Sequence, residues 1–404
     1  MIKRLFSKLG PGFLFAGAAI GVSHLVQSTR AGADFGFGLL WALLLINFIK
    51  YPFFEYGPRY AIATGESLLD GYRKLGKGIL VAYSIITLAT MFTIQTAVTI
   101  VTAAIATSIF GNTFDIIIWS SIITTICFTI LIIGRYKMLD SLMKIVVICL
   151  TISTLLAVLF AFKGAPEVSF QQIIPTETAG IAFLIAFMGW MPAPLDISIW
   201  HSMWALEKKK INTEITIKQS RFDFNVGYIT TTFLAICFVS LGALVLFRSS
   251  ESFSSSGGSF ANQLINMYTV SLGDGAKIII SIAALTTMFS TTLTTLDASP
   301  RVMSRASEIL TGKRFKRGYL IWMLVLVFGT LSIFFFFISE MALLIKIATI
   351  LSFLTAPFYA IINYKLVTSK HMPKEERPGK LMHIISISGI ALLIGFSVWY
   401  LTSL

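Results

Sequence analysis

The sequence predicts an all-α integral membrane protein of eleven spanning helices. Five plus five spans form inverted repeats, one span is extra, and the first and sixth helices are broken. Three observations carry this expectation: low charge content, a succession of apolar runs, and basic loops that alternate along the chain. Of 404 residues, 56% are hydrophobic and 13% charged, with a mean hydropathy of +0.82. A soluble chain carries about 25% charged residues. About 20 apolar residues cross a hydrocarbon core, and the runs here recur at that length. The segments between them are short, so residues 1–404 read as a single polytopic unit.

The runs place spans at about 11–33, 37–62, 78–109, 114–133, 142–162, 180–205, 226–247, 276–299, 318–338, 341–364 and 382–402. Repeat one then covers about 11–162, repeat two about 180–364, and the extra helix about 382–402. Met1 to Lys8 ahead of an apolar run has the outline of a signal peptide. The run continues to Ala33 without a small-residue cleavage site, and ten spans follow, so that reading is rejected.

Lys3, Arg4 and Lys8 precede span one. Arg73, Lys74 and Lys77 follow span two, Arg135, Lys137 and Lys144 span four, and Lys208 to Arg221 span six. Arg301 to Arg317 follow span eight, and Lys365 to Lys380 span ten. These positions hold 25 of the 32 Lys and Arg residues, all on one face, while Arg30, Lys163, Arg248 and Lys277 fall on the other. The positive-inside rule puts the N-terminus in the cytoplasm and the C-terminus outside, in a plasma (cytoplasmic) membrane. The net charge of +13 is thereby a topology signal beside anionic headgroups, and no nucleic-acid partner is expected. Cys127, Cys149 and Cys237 fall within spans without metal-type spacing and read as small core residues.

Two spans are interrupted. Span one holds "AAIGVSHLVQSTRAGADFG", where Gly21, Ser23, His24, Gln27, Ser28 and Arg30 break the apolar pattern. Span six holds "GWMPAPLDISIWHSM", with Pro192, Pro194, Asp196 and His201. A proline in a helix interior removes a donor and breaks the helix. Non-helical backbone at membrane depth is tolerated only where protein buries it or it lines a cavity. A lone proline is ordinarily a kink. Two prolines with an intramembrane acid, matched five spans earlier by a polar break, point to a carrier's central site.

Three segments resemble the Nramp family of divalent-metal transporters: "LGPGFLFAGAAIG", "AGADFGFGLLWALLLINFIKYP" and the "WHSM" that ends the sixth-span motif. The resemblance implies a LeuT-type fold, alternating access, and a central metal site with proton coupling. It departs from the family at that site. The family's first-helix motif is Asp-Pro-Gly-Asn, and the matching positions here are Gly21, Val22, Ser23 and His24. Its sixth-helix motif is Ala-x-x-Met-Pro-His, and here Met191, Pro192, Ala193, Pro194, Leu195 and Asp196 stand there. The acids that the family carries in its third helix are absent, because span three has no Asp, Glu, His, Lys or Arg.

A buried divalent cation needs anionic or strongly donating ligands. The candidates around the breaks are Gly21, Ser23, His24, Met191, Pro192, Ala193, Pro194 and Asp196, with His24 and Asp196 as the metal ligands. His201 is a candidate proton relay, with a packing histidine as the plain alternative. Glu55, Arg59 and Arg30 are candidate gate elements, and the i,i+4 spacing of Glu55 and Arg59 favours a structural pair. The nominal cargo is Mn, Fe or Mg. The alternative is a small organic solute or inorganic anion, because half-helix N-termini suit carboxylates.

Asp297 is expected to pair with Arg301, Lys346 to snorkel or pair with an acid, and His371 and His383 to be solvated. Residues 248–275 read as a flexible outward loop carrying "FANQLINMY" as a membrane-surface helix, and "LEKKKINTEITIKQSRFD" as a solvated loop. The chain lacks a phosphate loop, which argues against ATP-driven pumping, and no cofactor is expected. A channel would need a continuous polar pathway. An enzyme would need His24, Asp196 and His201 to converge. The partners expected are the lipid bilayer and a small ion or solute.

Overall fold

The computed structural model describes residues 10–111, 114–134, 136–163, 168–211, 213–247, 257–273, 275, 277–336 and 341–403. Lys3, Arg4, Lys8, Arg135, Arg248 and the Ser/Gly run of 248–256 lie outside the described residues, as do the side chains of Lys137 and Lys144.

All eleven spans form. Span one is Pro11–Ala19 and Thr29–Phe35, joined through a wide turn at Ser23–Ser28. Span two is Leu40–Thr64, three Lys77–Phe110, four Ile116–Ile133 and five Tyr136–Lys163. Span six is Thr178–Trp190 and Ile197–Ile211, and span seven is Ile217–Leu241 extended by Gly242–Leu246. Spans eight to eleven are Lys277–Thr311, Gly318–Phe336, Met341–Thr368 and Lys380–Thr402. Among the described residues, seven helices are long and apolar enough to cross a membrane. Spans one and six miss that measure because they are broken, and span five counts there only as the shorter apolar helix Ile148–Lys163. Lys50, Glu55 and Arg59 interrupt span two.

Burial sorts the spans into inner and outer. The apolar windows of spans three, seven and eight are 67% buried, against 28% for four and nine and 22% for eleven. The outer spans present apolar side chains such as Phe328, Ile387 and Ile132 outward, as a lipid-facing surface does. The packing follows the inverted repeat. Span one lies on seven as six lies on two, and three lies on ten as five lies on eight.

Glycines set the closest approaches. A Cβ on Gly12 would sit 2.0 Å from the Asp223 carbonyl oxygen, and one on Gly32 2.1 Å from that of Val239. Span seven returns the contact with Gly227 against Gly12 and Gly242 against Thr29. The two halves of span one therefore dock on span seven through small residues on either side of the break.

Several expectations need correction. Gly257–Leu272 is a helix, longer than the expected "FANQLINMY", and one of its faces is buried in the bundle. Phe260, Leu264, Met267 and Tyr268 are buried, and the helix packs on spans three and five, with a 2.8 Å bond between the Tyr268 and Thr154 hydroxyls. The segment after span six is not simply solvated, because Ser220 and Asp223 are buried in span seven. His383 is half-buried against the Tyr364 hydroxyl at 3.0 Å. Cys149 is exposed, while Cys127 and Cys237 are buried. Leu68–Leu75, in the basic segment after span two, is a helix with a Ser67–Asp70 capping box and buried Leu68, Leu69 and Tyr72. Asp297 meets the expectation, accepting from Arg301 Nε at 2.7 Å and from the Tyr319 hydroxyl at 2.6 Å.

Candidate functional site

The helix of span one stops at Ala19, Ile20 is extended, and helical geometry resumes at Ser23. The helix of span six stops at Trp190, Met191 is extended, and the helix restarts at Ile197 after two prolines. Each break frees carbonyls from their helical donors, and buried carbonyls need substitutes. At the first break the Ser23 hydroxyl donates to Ala19 O at 2.6 Å, and the Thr291 hydroxyl of span eight, with one proton to share, lies 3.2 Å from Ile20 O and 3.4 Å from Gly17 O. It fits because Gly21 has no side chain: a Cβ there would lie 2.8 Å from Thr291 Oγ1.

At the sixth-span break the donor is Lys50 of span two. Its side chain is fully buried, and Nζ lies 2.8 Å from Met188 O, 2.8 Å from Gly189 O, 3.0 Å from Met191 O and 3.5 Å from Ala193 O. An ammonium has three protons, so it donates to the near three and leans on the fourth. Sequence reasoning left Lys50 out of the site. The signal was a cation at the middle of an apolar span, which marks a functional candidate by default.

Between the breaks lies a small cavity of about 30 Å³, walled by Ala18, Ala19, Gly21, Val22 and Ser23 of span one and by Trp190, Pro194, Asp196, Ile197 and Trp200 of span six. Spans three and eight close it with Ile94, Val98, Thr291 and Thr295. Thr295 is held by its bond to Gln95 Oε1 at 2.6 Å. Asp196 is the one charged residue in that wall, and its Oδ1 is buried without a hydrogen-bond partner. It sits where the inner half-helix begins, and the helix dipole favours a negative charge there.

The structure brings Gly21, Ser23, Pro194 and Asp196 together around this cavity. His24 is buried beside it, with both ring nitrogens engaged: Nδ1 with Ser23 Oγ at 2.7 Å and Nε2 with Thr231 O at 2.9 Å. Met191 turns its sulfur to the Ser28 hydroxyl at 3.5 Å, and Pro192 and Ala193 are buried in the break. Among the described residues no group of three or more His, Cys, Asp or Glu is placed to hold a metal ion. His201 stacks on Phe15 at 5.6 Å, and its Nδ1 has no partner.

A second cavity of about 270 Å³ lies between the C-terminal half of span one, the N-terminal half of span six and the start of span ten, lined by Gln27, Arg30, Phe183 and Lys346 among others. Arg30 pairs with Asp34 at 3.1 Å and lies over the Phe183 ring at 5.2 Å. Ion pairs join two spans at the opposite, basic end. Glu55 Oε1 accepts from Arg59 Nε at 2.9 Å and from Arg221 Nε at 3.1 Å, joining spans two and seven. Asp223, also missed from the sequence, accepts from the Gly10 and Gly12 amides at 3.0 and 2.9 Å and caps span one.

Two broken helices facing each other across five-plus-five inverted repeats define a membrane carrier of the LeuT type. The chain belongs to the Nramp family, matching "Natural resistance-associated macrophage protein-like" over residues 12–403. A Pasteurella multocida protein is 35% identical over 404 residues, covering 98% of this chain and 92% of its own. The fold is similar to that of the Eremococcus coleocola manganese transporter, with a TM-score of 0.66 and 14% identity over 99% of this chain and 95% of that one. It is also similar to MhsT, solved with L-phenylalanine, with a TM-score of 0.62 and 14% identity over 97% and 98% of the two chains.

Proposed function

We propose that this secondary carrier moves a divalent metal cation by alternating access, with Asp196 as the charged ligand between the breaks. The observation that carries the reading is the buried, unpartnered Asp196 oxygen in a cavity of about 30 Å³. That space suits a bare or singly hydrated ion. Sites for organic ligands run to about 300–1,000 Å³, and the wall holds an acid with no Lys, Arg or His, which speaks against an anion. Its side-chain donors are the oxygens of Asp196, Ser23, Thr291 and Thr295, with no sulfur. Oxygen donors favour Mn and Mg over softer metals.

The proposed coupling ion is the proton, since a carboxylate must be deprotonated to bind a metal. The basic loops support an N-terminus in the cytoplasm, a C-terminus outside, and a plasma-membrane location. The two repeats and the eleventh helix act as one transport domain. Arg30 stands at the outer entrance, and Glu55 and Arg59 latch the inner one.

The test is uptake of Mn2+, Mg2+ and Ca2+ by proteoliposomes, with Asp196→Ala as the comparison. Saturable Mn2+ uptake that disappears in the variant is expected. Folded protein with no metal flux, or a variant that transports normally, would overturn the assignment.

A further inference from the structure

The carbonyls of the sixth-span break form a cation cradle that the chain fills with its own ammonium. We propose that this cradle is a site for a monovalent cation of potassium or ammonium size, occupied by Lys50 as a tethered ion. The inference rests on reading the two breaks as the carrier's centre.

Three observations support it. The cradle is made of uncharged oxygens from Met188, Gly189, Met191 and Ala193, converging on one point 2.8 to 3.5 Å away. These distances exceed the roughly 2.0–2.6 Å that Mg2+ and Ca2+ require, and rings of carbonyls are how proteins replace the hydration shell of a large monovalent ion. Lys50 comes from a different span, so it is an inserted group and not part of the break itself. Its Nζ also lies 3.5 Å from Ala193 O, three residues ahead of Asp196 in the same break, which sets the ammonium near the acid. The carbonyls are thereby withdrawn from the cargo, which is left with Asp196 and the hydroxyls on the cavity side. A carrier built this way needs no free sodium or potassium ion to hold its sixth span together, and Lys50 sets that independence.

The experiment compares wild type with Lys50→Ala, which empties the ammonium position and the space leading to it. Purified proteins are melted in choline, sodium, potassium and ammonium chloride at equal ionic strength. Wild type is expected to melt alike in all four salts. Lys50→Ala is expected to melt at a lower temperature in choline and to be restored by potassium or ammonium. Monodisperse Lys50→Ala that melts alike in all four salts overturns the proposal.

A second measurement uses only the native chain. Reductive methylation should spare Lys50 while labelling the exposed Lys346, and equal labelling of the two overturns the tethered-ion state. Manganese uptake by Asp196→Asn in the Lys50 background tests the cargo site separately, so failure of either reading is seen without the other.

Discussion

Gly32 faces span seven with no room for a side chain. In Gly32→Ala the new methyl carbon lies 2.1 Å from Val239 O and 2.7 Å from Ala243 N. Both are backbone atoms in the wall of a long helix, so neither can swing aside. An ordinary C–H···O contact needs about 3.3 Å, so the helices must part by about 1.2 Å. Overpacking of this kind costs about 1–3 kcal/mol. The seven-residue Thr29–Phe35 helix yields more readily than span seven, and it carries Arg30 in the wall of the outer cavity. Gly242→Ala meets Thr29 O at 2.1 Å across the same interface. One separation relieves both clashes, so the double variant should cost clearly less than the sum of the singles. Equilibrium unfolding in mixed micelles reads the stabilities, and initial Mn2+ uptake reads the displaced outer half. Wild-type stability in Gly32→Ala, or strictly additive losses in the double variant, would refute the shared-displacement reasoning.

Two further outcomes concern the basic end. Glu55→Gln leaves Arg59 without its counter-charge in a buried setting, and breaking such a pair costs about 3–5 kcal/mol. Arg221→Ala should cost under about 1 kcal/mol, since its side chain is 44% exposed. The same unfolding assay should rank them in that order, and a reversed order would place the latch at Arg221. Asp223→Ala removes acceptors from the Gly10 and Gly12 amides, each charge-assisted bond being worth about 1.5–3 kcal/mol. Hydrogen exchange at Gly10 and Gly12 should quicken at least tenfold, and unchanged exchange would mean that the cap is not what holds span one.

The span count and both breaks were legible because they depend on local chemistry. Apolar length, basic loops and paired prolines each leave a mark within a few residues. The partners of the breaks left no such mark. Lys50 answers backbone carbonyls about 140 residues away, and carbonyls have no sequence signature. Asp223 sits among charged residues, so composition classed it with the solvent although it caps a helix about 210 residues earlier. His24 shows the opposite case. A histidine at membrane depth advertises a ligand, yet both its nitrogens are taken by Ser23 and the Thr231 carbonyl. Which polar group is free and which is used up is decided by neighbours from other spans.

The two breaks differ in how their carbonyls are satisfied, and the difference bears on cargo. The first uses hydroxyls, Ser23 and Thr291, and the sixth the amine of Lys50. In the proposed site a cation entering the cavity therefore meets one acid whose charge is partly offset by an ammonium in the same break. With a single carboxylate and hydroxyls as side-chain ligands, it keeps fewer strong bonds than a cluster of acids would provide. Such a centre binds its cargo less tightly and releases it more easily. Removing the Lys50 charge should shift that balance toward tighter divalent binding, so long as Asp196 remains to provide the negative charge.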